Sequence, residues 1–189
     1  TLVHATHMDA DEIRRAAASG ATVAICTTTE ANLGDGLFPL RAWLDAGGRW
    51  GVGSDSHSSV SPVEELRWLE YGQRLMTRRR NIATRRGSPS VGATLLQHAI
   101  DSGANATGQR IGAIDPAAGV RADATLLDTS VPELLQRDGA RLVDSWIFSG
   151  NRNPVSDVWV GGERLVSHAR HRARDAIEAR YALAIGSLR

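Results

Sequence analysis

Three short apolar runs in this 189-residue sequence each give way abruptly to polar, titratable side chains. The first, Thr1-Leu2-Val3, leads to His4, Thr6 and His7. The second, residues 21–26, leads to Thr27 through Glu30 and then Asn32. The third, Trp50-Gly51-Val52-Gly53, stops on Ser54-Asp55-Ser56-His57. An Asp and a His facing one cavity suit metal-assisted hydrolysis. The carboxylate can ligate a metal and hydrogen-bond a water, while the imidazole shuttles a proton or stabilises developing charge.

Each of these residues also has a purely structural reading. Asp55 can close a turn or cap a helix. His4 can be a satisfied core histidine, and His7 and His57 can be solvated loop residues. Side chains alternate along a strand, so His4 and His7 cannot share a face if the strand runs to residue 7. His4, inside the apolar run, is the better candidate. His98, His168 and His171 fall on a helical stretch and near a hairpin end, and read as structural or solvated. The chain has no H-x-H, no H-E-x-x-H and no cysteine pair, so it lacks the ligands for a closed metal site. Asp55 is the one convincing ligand.

The elements that must position these groups follow from periodicity. Residues 1–6 read as a buried strand. Asp9 and Glu12 read as the capping box of a helix carried by Ile13, Ala16 and Ala17 and closed at Ser19-Gly20. Residues 21–28 read as a second buried strand, "TTEANLGDG" as a loop, and residues 37–46 as a helix that Gly47-Gly48 ends. A strand over 49–53 follows. Such alternation argues for an α/β fold with a parallel sheet, either doubly wound or a β/α barrel. Functional groups in those folds collect at the C-terminal ends of the strands, where His4, Glu30 and Asp55 stand. Two longer helices are expected over 62–85 and 89–103, then a strand at "ADATLLD". A hairpin over 157–160 and 163–166 turns at Gly161-Gly162, and a closing helix covers 173–188.

Composition bounds the class. Hydrophobic residues are 42% and charged residues 23%, and the formal net charge is +1, which gives no case for a nucleic-acid or membrane partner. The one basic cluster, "RLMTRRRNIATRRG", reads as a solvated helix face. A single cysteine, Cys26, excludes an intramolecular disulfide and agrees with a reducing compartment, so a cytoplasmic location is expected. No apolar run approaches the roughly 20 residues that span a bilayer. The chain opens directly into an apolar run without a polar lead-in, as a piece of a longer fold would.

The segments "LVHATHMD", "TTTEANLGDGLFPLRAWLDAGGRWGVGSDSH" and "SPVEELRWLEYGQRL" resemble, in that order, the C-terminal half of metal-dependent amidohydrolases of the cytosine-deaminase-like group. "EANLGDG" together with "GSDSH" and "EELRWLEYGQR" is most similar to the formimidoylglutamate deiminases of histidine degradation. The tail, from "ADATLLD" through "DVWVGGERLV" to "HRARDAIEARY", is similar as well. The resemblance implies the C-terminal part of a (β/α)8 TIM-like barrel plus part of a small β-sandwich domain. Residues 1–110 would be barrel strands six to eight with their helices, 111–172 the small β domain with intervening helices, and 173–189 a closing helix.

It further implies a homodimer with one divalent metal, zinc, that hydrolyses N-formimino-L-glutamate to N-formyl-L-glutamate and ammonia. His4 matches the proton-transferring histidine after strand six. Asp55 matches the aspartate after strand eight that ligates the metal and takes the proton of the attacking water. Glu30, Asn32 and His57 match loop positions at the site mouth, where they would contact substrate. The remaining ligands of the family have no counterpart here, and the chain by itself is expected to be inactive. A guanine, adenosine-type or chlorotriazine hydrolase and a non-catalytic scaffold on the same fold are the alternatives.

Overall fold

The computed structural model of the chain describes residues 1–84, 87–109 and 119–188. Its first part is a parallel sheet of three strands, β1 (Leu2–Val3), β2 (Thr22–Ile25) and β3 (Arg49–Val52), in that spatial order. Val3 pairs with Ala24, and Val23 and Ile25 pair with Trp50 and Val52. The first crossover is helix α1 (Ala10–Ala18), whose Asp9 and Glu12 form the reciprocal capping box read from the sequence. The second carries two short helices, α2 (Thr27–Leu33) and α3 (Leu40–Asp45).

Two expectations change at this level. The first strand is only two residues long, and Leu2 and Val3 are exposed rather than buried. Among the described residues it is paired on one side only, by β2, so nothing covers its other edge. The stretch read as a loop after β2 is helix α2, with its first four residues all buried. It lacks an apolar stripe, and its stability comes from contacts described below.

Two long helices back the sheet. α4 (Pro62–Thr77) starts at the Ser61 cap with proline in its first turn, and α5 (Val91–Thr107) starts at the Ser90 cap. Their apolar faces, including Leu66, Leu69 and Leu95, pack with Val23, Ile25 and Trp50 in the main core. Each such fully buried side chain contributes on the order of 1.5–3 kcal/mol. α4 ends eight residues earlier than periodicity suggests, at a left-handed Arg78. The cause is tertiary. Fully buried Glu70 accepts the backbone N–H groups of Ile82 (3.0 Å) and Ala83 (2.9 Å) and pairs with Arg74 (2.7 Å), folding the chain back onto the helix. The described part of the basic cluster beyond residue 77 is therefore a turn, not a helix face.

The second part is a four-stranded antiparallel sheet, β4 (Ala124–Leu127), β5 (Val155–Val160), β6 (Glu163–Ser167) and β7 (Arg170–His171), with the expected hairpin turning at Gly161-Gly162. The expected boundary between residues 110 and 111 lies outside the described residues. Between β4 and β5 runs helix α6 (Gly139–Phe148), which ties the two parts together. Its Asp144 accepts the Gly92 N–H at 2.6 Å, and Arg67 of α4 donates to the carbonyls of Ile147 and Gly150 and to Asn151 at 2.7 Å. Helix α7 (Arg174–Gly186) closes the described chain with no buried residue.

The turn into β3 shows why Gly47-Gly48 is needed. Gly47 has φ +72°, open to glycine and strained for other residues. Gly48 faces the fully buried Trp43 indole so closely that an added Cβ would sit 2.2 Å from Cε2. Gly48→Ala must displace that ring from a packed core and is expected to cost about 1–3 kcal/mol, read as a lowered urea midpoint of the purified chain.

Candidate active site

The register brings the C-terminal tips of the three parallel strands side by side. His4 N–H donates to the Ala24 carbonyl at 2.9 Å, and Gly53 N–H to that of Ile25 at 3.0 Å. Just past these bonds the chain leaves the sheet through left-handed residues: His4 at φ +63°, Ala5 at +54° and Asp55 at +49°. Such backbone costs non-glycine residues on the order of 1–3 kcal/mol, although His and Asp adopt it more readily than most. The two foremost candidates thus sit at the strained exits of the two outer strands.

The fold brings them together. His4 Nε2 lies 3.8 Å from Asp55 Oδ2, with side chains 33% and 43% exposed. That separation is beyond a hydrogen bond, so neither atom is consumed by the other and both remain open to a bound molecule. His7, exposed, lies with His4 along an open depression shared with Thr6, Met8, Glu12 and Asp35.

Helix α2 organises both sides of this pair. On one side Glu30 Oε1 accepts the Cys26 backbone N–H at 2.9 Å and meets His4 Nδ1 at 3.2 Å. On the other, the Thr29 hydroxyl donates to the Ser54 carbonyl at 2.7 Å and accepts the His57 N–H at 3.2 Å, holding the loop that carries Asp55. Glu30, expected at the site mouth, is only 2% exposed and engaged on its inner side. Asn32 stands exposed on the last turn of α2. His57 is half-buried, and its Nδ1 accepts the Ser59 N–H at 3.1 Å.

What anchors α2 comes from α4. Its N-cap, Cys26, makes no side-chain capping bond. Instead Glu65, 1% exposed, accepts the Thr27 hydroxyl (2.8 Å), the Thr28 N–H (3.1 Å) and the Thr28 hydroxyl. A carboxylate from a distant helix therefore accepts the Thr28 N–H and two hydroxyls at the start of α2 and meets the positive end of its dipole. Sequence reading did not single out Glu65 or Thr29. Glu65 is also an acidic residue in the first turn of α4, which explains it locally and hides its reach. No capping pattern marks the start of α2, whose N-cap is Cys26.

Burial pushes the Glu30 carboxyl upward from its ordinary value, against the pull of the Cys26 N–H and His4. Burial, with the nearby carboxylates Glu30, Asp55 and Glu65, pushes the Cys26 thiol up to about 11. The free thiol therefore stays protonated at neutral pH. Of the other histidines, His98 stacks on Trp50 with ring centroids 5.8 Å apart, and His171 accepts the Ala173 N–H at 3.1 Å. Among the described residues no group of three or more His, Cys, Asp or Glu is placed to hold a metal ion. Asp55, a partly exposed carboxylate at a strand tip, fits a divalent cation as a single oxygen ligand.

A profile of the amidohydrolase family matches residues 1–165. The chain belongs to the amidohydrolase family. Formimidoylglutamate deiminase of Pseudomonas aeruginosa is 47% identical over 187 residues, 99% of this amidohydrolase chain and 41% of that protein. An amidohydrolase from Brucella melitensis, known from its crystal structure, superposes with TM-score 0.91 at 41% identity, over 99% of this chain and 40% of that one. An adenosine deaminase from Xanthomonas campestris, crystallised with bound zinc, does so with TM-score 0.76 at 25% identity, over 94% and 40%. The amidohydrolase chain thus spans about two-fifths of the length of these relatives.

Removing the cap from α2 tests its role. Glu65→Ala strands the buried Thr28 donors and is expected to cost about 2 kcal/mol or more. Amide exchange should accelerate first in residues 27–33, where hydrogen-exchange mass spectrometry reads it.

Proposed function

We propose that this chain carries the proton-handling side of a deiminase that hydrolyses the C=N bond of N-formimino-L-glutamate, releasing ammonia and N-formyl-L-glutamate. The observation that carries the reading is the facing pair of His4 Nε2 and Asp55 Oδ2 at the tips of β1 and β3. The choice of substrate is supported by 47% identity to a formimidoylglutamate deiminase, against 25% to the adenosine deaminase. On this reading β1, β2 and β3 are strands six to eight of the (β/α)8 barrel, and β4 to β7 belong to the small β domain.

Asp55 offers one carboxylate oxygen to a divalent cation, zinc as in the adenosine deaminase relative, and takes a proton from the attacking water. Such a cation, when bound, lowers the pKa of water toward about 7. The water oxygen adds to the formimino carbon as its proton passes to Asp55. Asp55 passes that proton to the former imine nitrogen. His4 Nε2 takes the hydroxyl proton of the tetrahedral adduct and hands it to the same nitrogen, and ammonia leaves as the C–N bond breaks and the C=O bond forms. Asn32, exposed on the last turn of α2, and His57, on the loop after β3, would meet the substrate. The enzyme acts as a cytoplasmic homodimer.

Two measurements check the reading. In the natural full-length polypeptide, Asp55→Asn should lower kcat/KM for N-formimino-L-glutamate at least about a hundredfold. Preferred turnover of guanine or adenosine by the unmutated protein would replace the substrate assignment with a purine deaminase. The 189-residue chain alone, offering one ligand where about three or more are required, should show no tight, stoichiometric zinc binding by calorimetric titration.

A further inference from the structure

We infer that Glu30 is a positioning residue: its buried carboxylate fixes His4 as the Nδ1–H tautomer and turns Nε2, lone pair outward, toward Asp55. The inference rests on the reading of His4 as the proton-moving group and goes beyond it by assigning what sets that group's state.

The geometry is specific. One oxygen, Oε1, meets both the Cys26 N–H at 2.9 Å and His4 Nδ1 at 3.2 Å. A backbone N–H can only donate, so Oε1 is bound to act as acceptor there, and a second donor on the same oxygen is what Nδ1–H supplies. The opposite tautomer would leave two acceptors facing each other at 3.2 Å against the buried Glu30 carboxyl. Glu30 is itself held rigidly, since α2 carries it and Glu65 and Thr29 pin that helix at both flanks. With Nδ1 committed, Nε2 is the nitrogen left for chemistry, and its 3.8 Å distance to Asp55 Oδ2 leaves it unspent. A carboxylate behind a histidine also stabilises the imidazolium that forms when Nε2 takes a proton, the role filled by the acid in other acid–histidine pairs.

The Cys26 contact is structural and the His4 contact is not, which allows the two to be separated. Glu30→Gln keeps a carbonyl oxygen for Cys26 N–H but loses the charge and can present an N–H to the ring. Glu30→Ala removes both contacts. The test is nitrogen-15 NMR of histidine-labelled full-length protein, with the His4 signals assigned by their loss in His4→Gln, alongside steady-state kinetics and thermal unfolding. The unmutated protein should show His4 with Nδ1 protonated and Nε2 bare. In Glu30→Gln the Nε2–H tautomer should gain population and kcat fall about 10- to 100-fold, with KM changed less than about twofold and the thermal midpoint nearly kept. Glu30→Ala should match it in tautomer and kcat while also losing stability.

An unmutated His4 carrying its proton on Nε2 would overturn the inference. So would Glu30→Gln with an unshifted tautomer and full kcat. If the tautomer responds as expected but the unmutated protein does not hydrolyse N-formimino-L-glutamate, the positioning stands and the substrate reading falls.

Discussion

The buried carboxylate of Glu65 is the interaction on which the rest of the site depends. Taking a carboxylate out of water costs several kcal/mol unless its lone pairs are met. Here they are met by the Thr27 and Thr28 hydroxyls and the Thr28 N–H at the start of α2. The exchange serves both partners: α2, seven residues long and without a capping side chain, is too short to stand alone. Once fixed, it becomes the rigid piece from which Thr29 and Glu30 reach the loops on either side.

The pairing of His4 with Asp55 follows from sheet geometry. β1 and β3 are not neighbours; β2 lies between them, so their tips are two strand spacings apart, roughly 10 Å. Both chains leave the sheet through left-handed backbone, at His4 and Asp55, and their side chains approach to 3.8 Å. The packed core beneath offsets that conformational cost, with Trp50 of β3 wholly buried among the helices. A strand that stops on an acid is, in this fold, a strand that aims one.

Much of this was legible in advance. The alternation of strand and helix, the Asp9–Glu12 capping box, the hairpin at Gly161-Gly162 and the polar strand tips all arise from neighbours in sequence. Helix α2, the early end of α4 and the burial of Glu30 were not legible. Each depends on a carboxylate contributed from elsewhere: Glu65 lies 37 residues from Thr28, Glu70 lies 13 from Ala83, and Glu30 lies 26 from His4. Residue type alone makes such groups look like ordinary acidic positions on amphipathic helices.

The sequence by itself determined which residues could carry the chemistry, because side-chain type and strand-end position are local properties. It also determined the class of fold, because hydrophobic periodicity is local too. Only the tertiary structure decided what each candidate touches. Glu30 lies buried against His4, and Asp55 and His4 stand as a facing pair at the strand tips. The reason is distance along the chain. Hydrogen bonds between groups 25 or more residues apart leave no periodic trace in sequence, and here those bonds set burial and orientation.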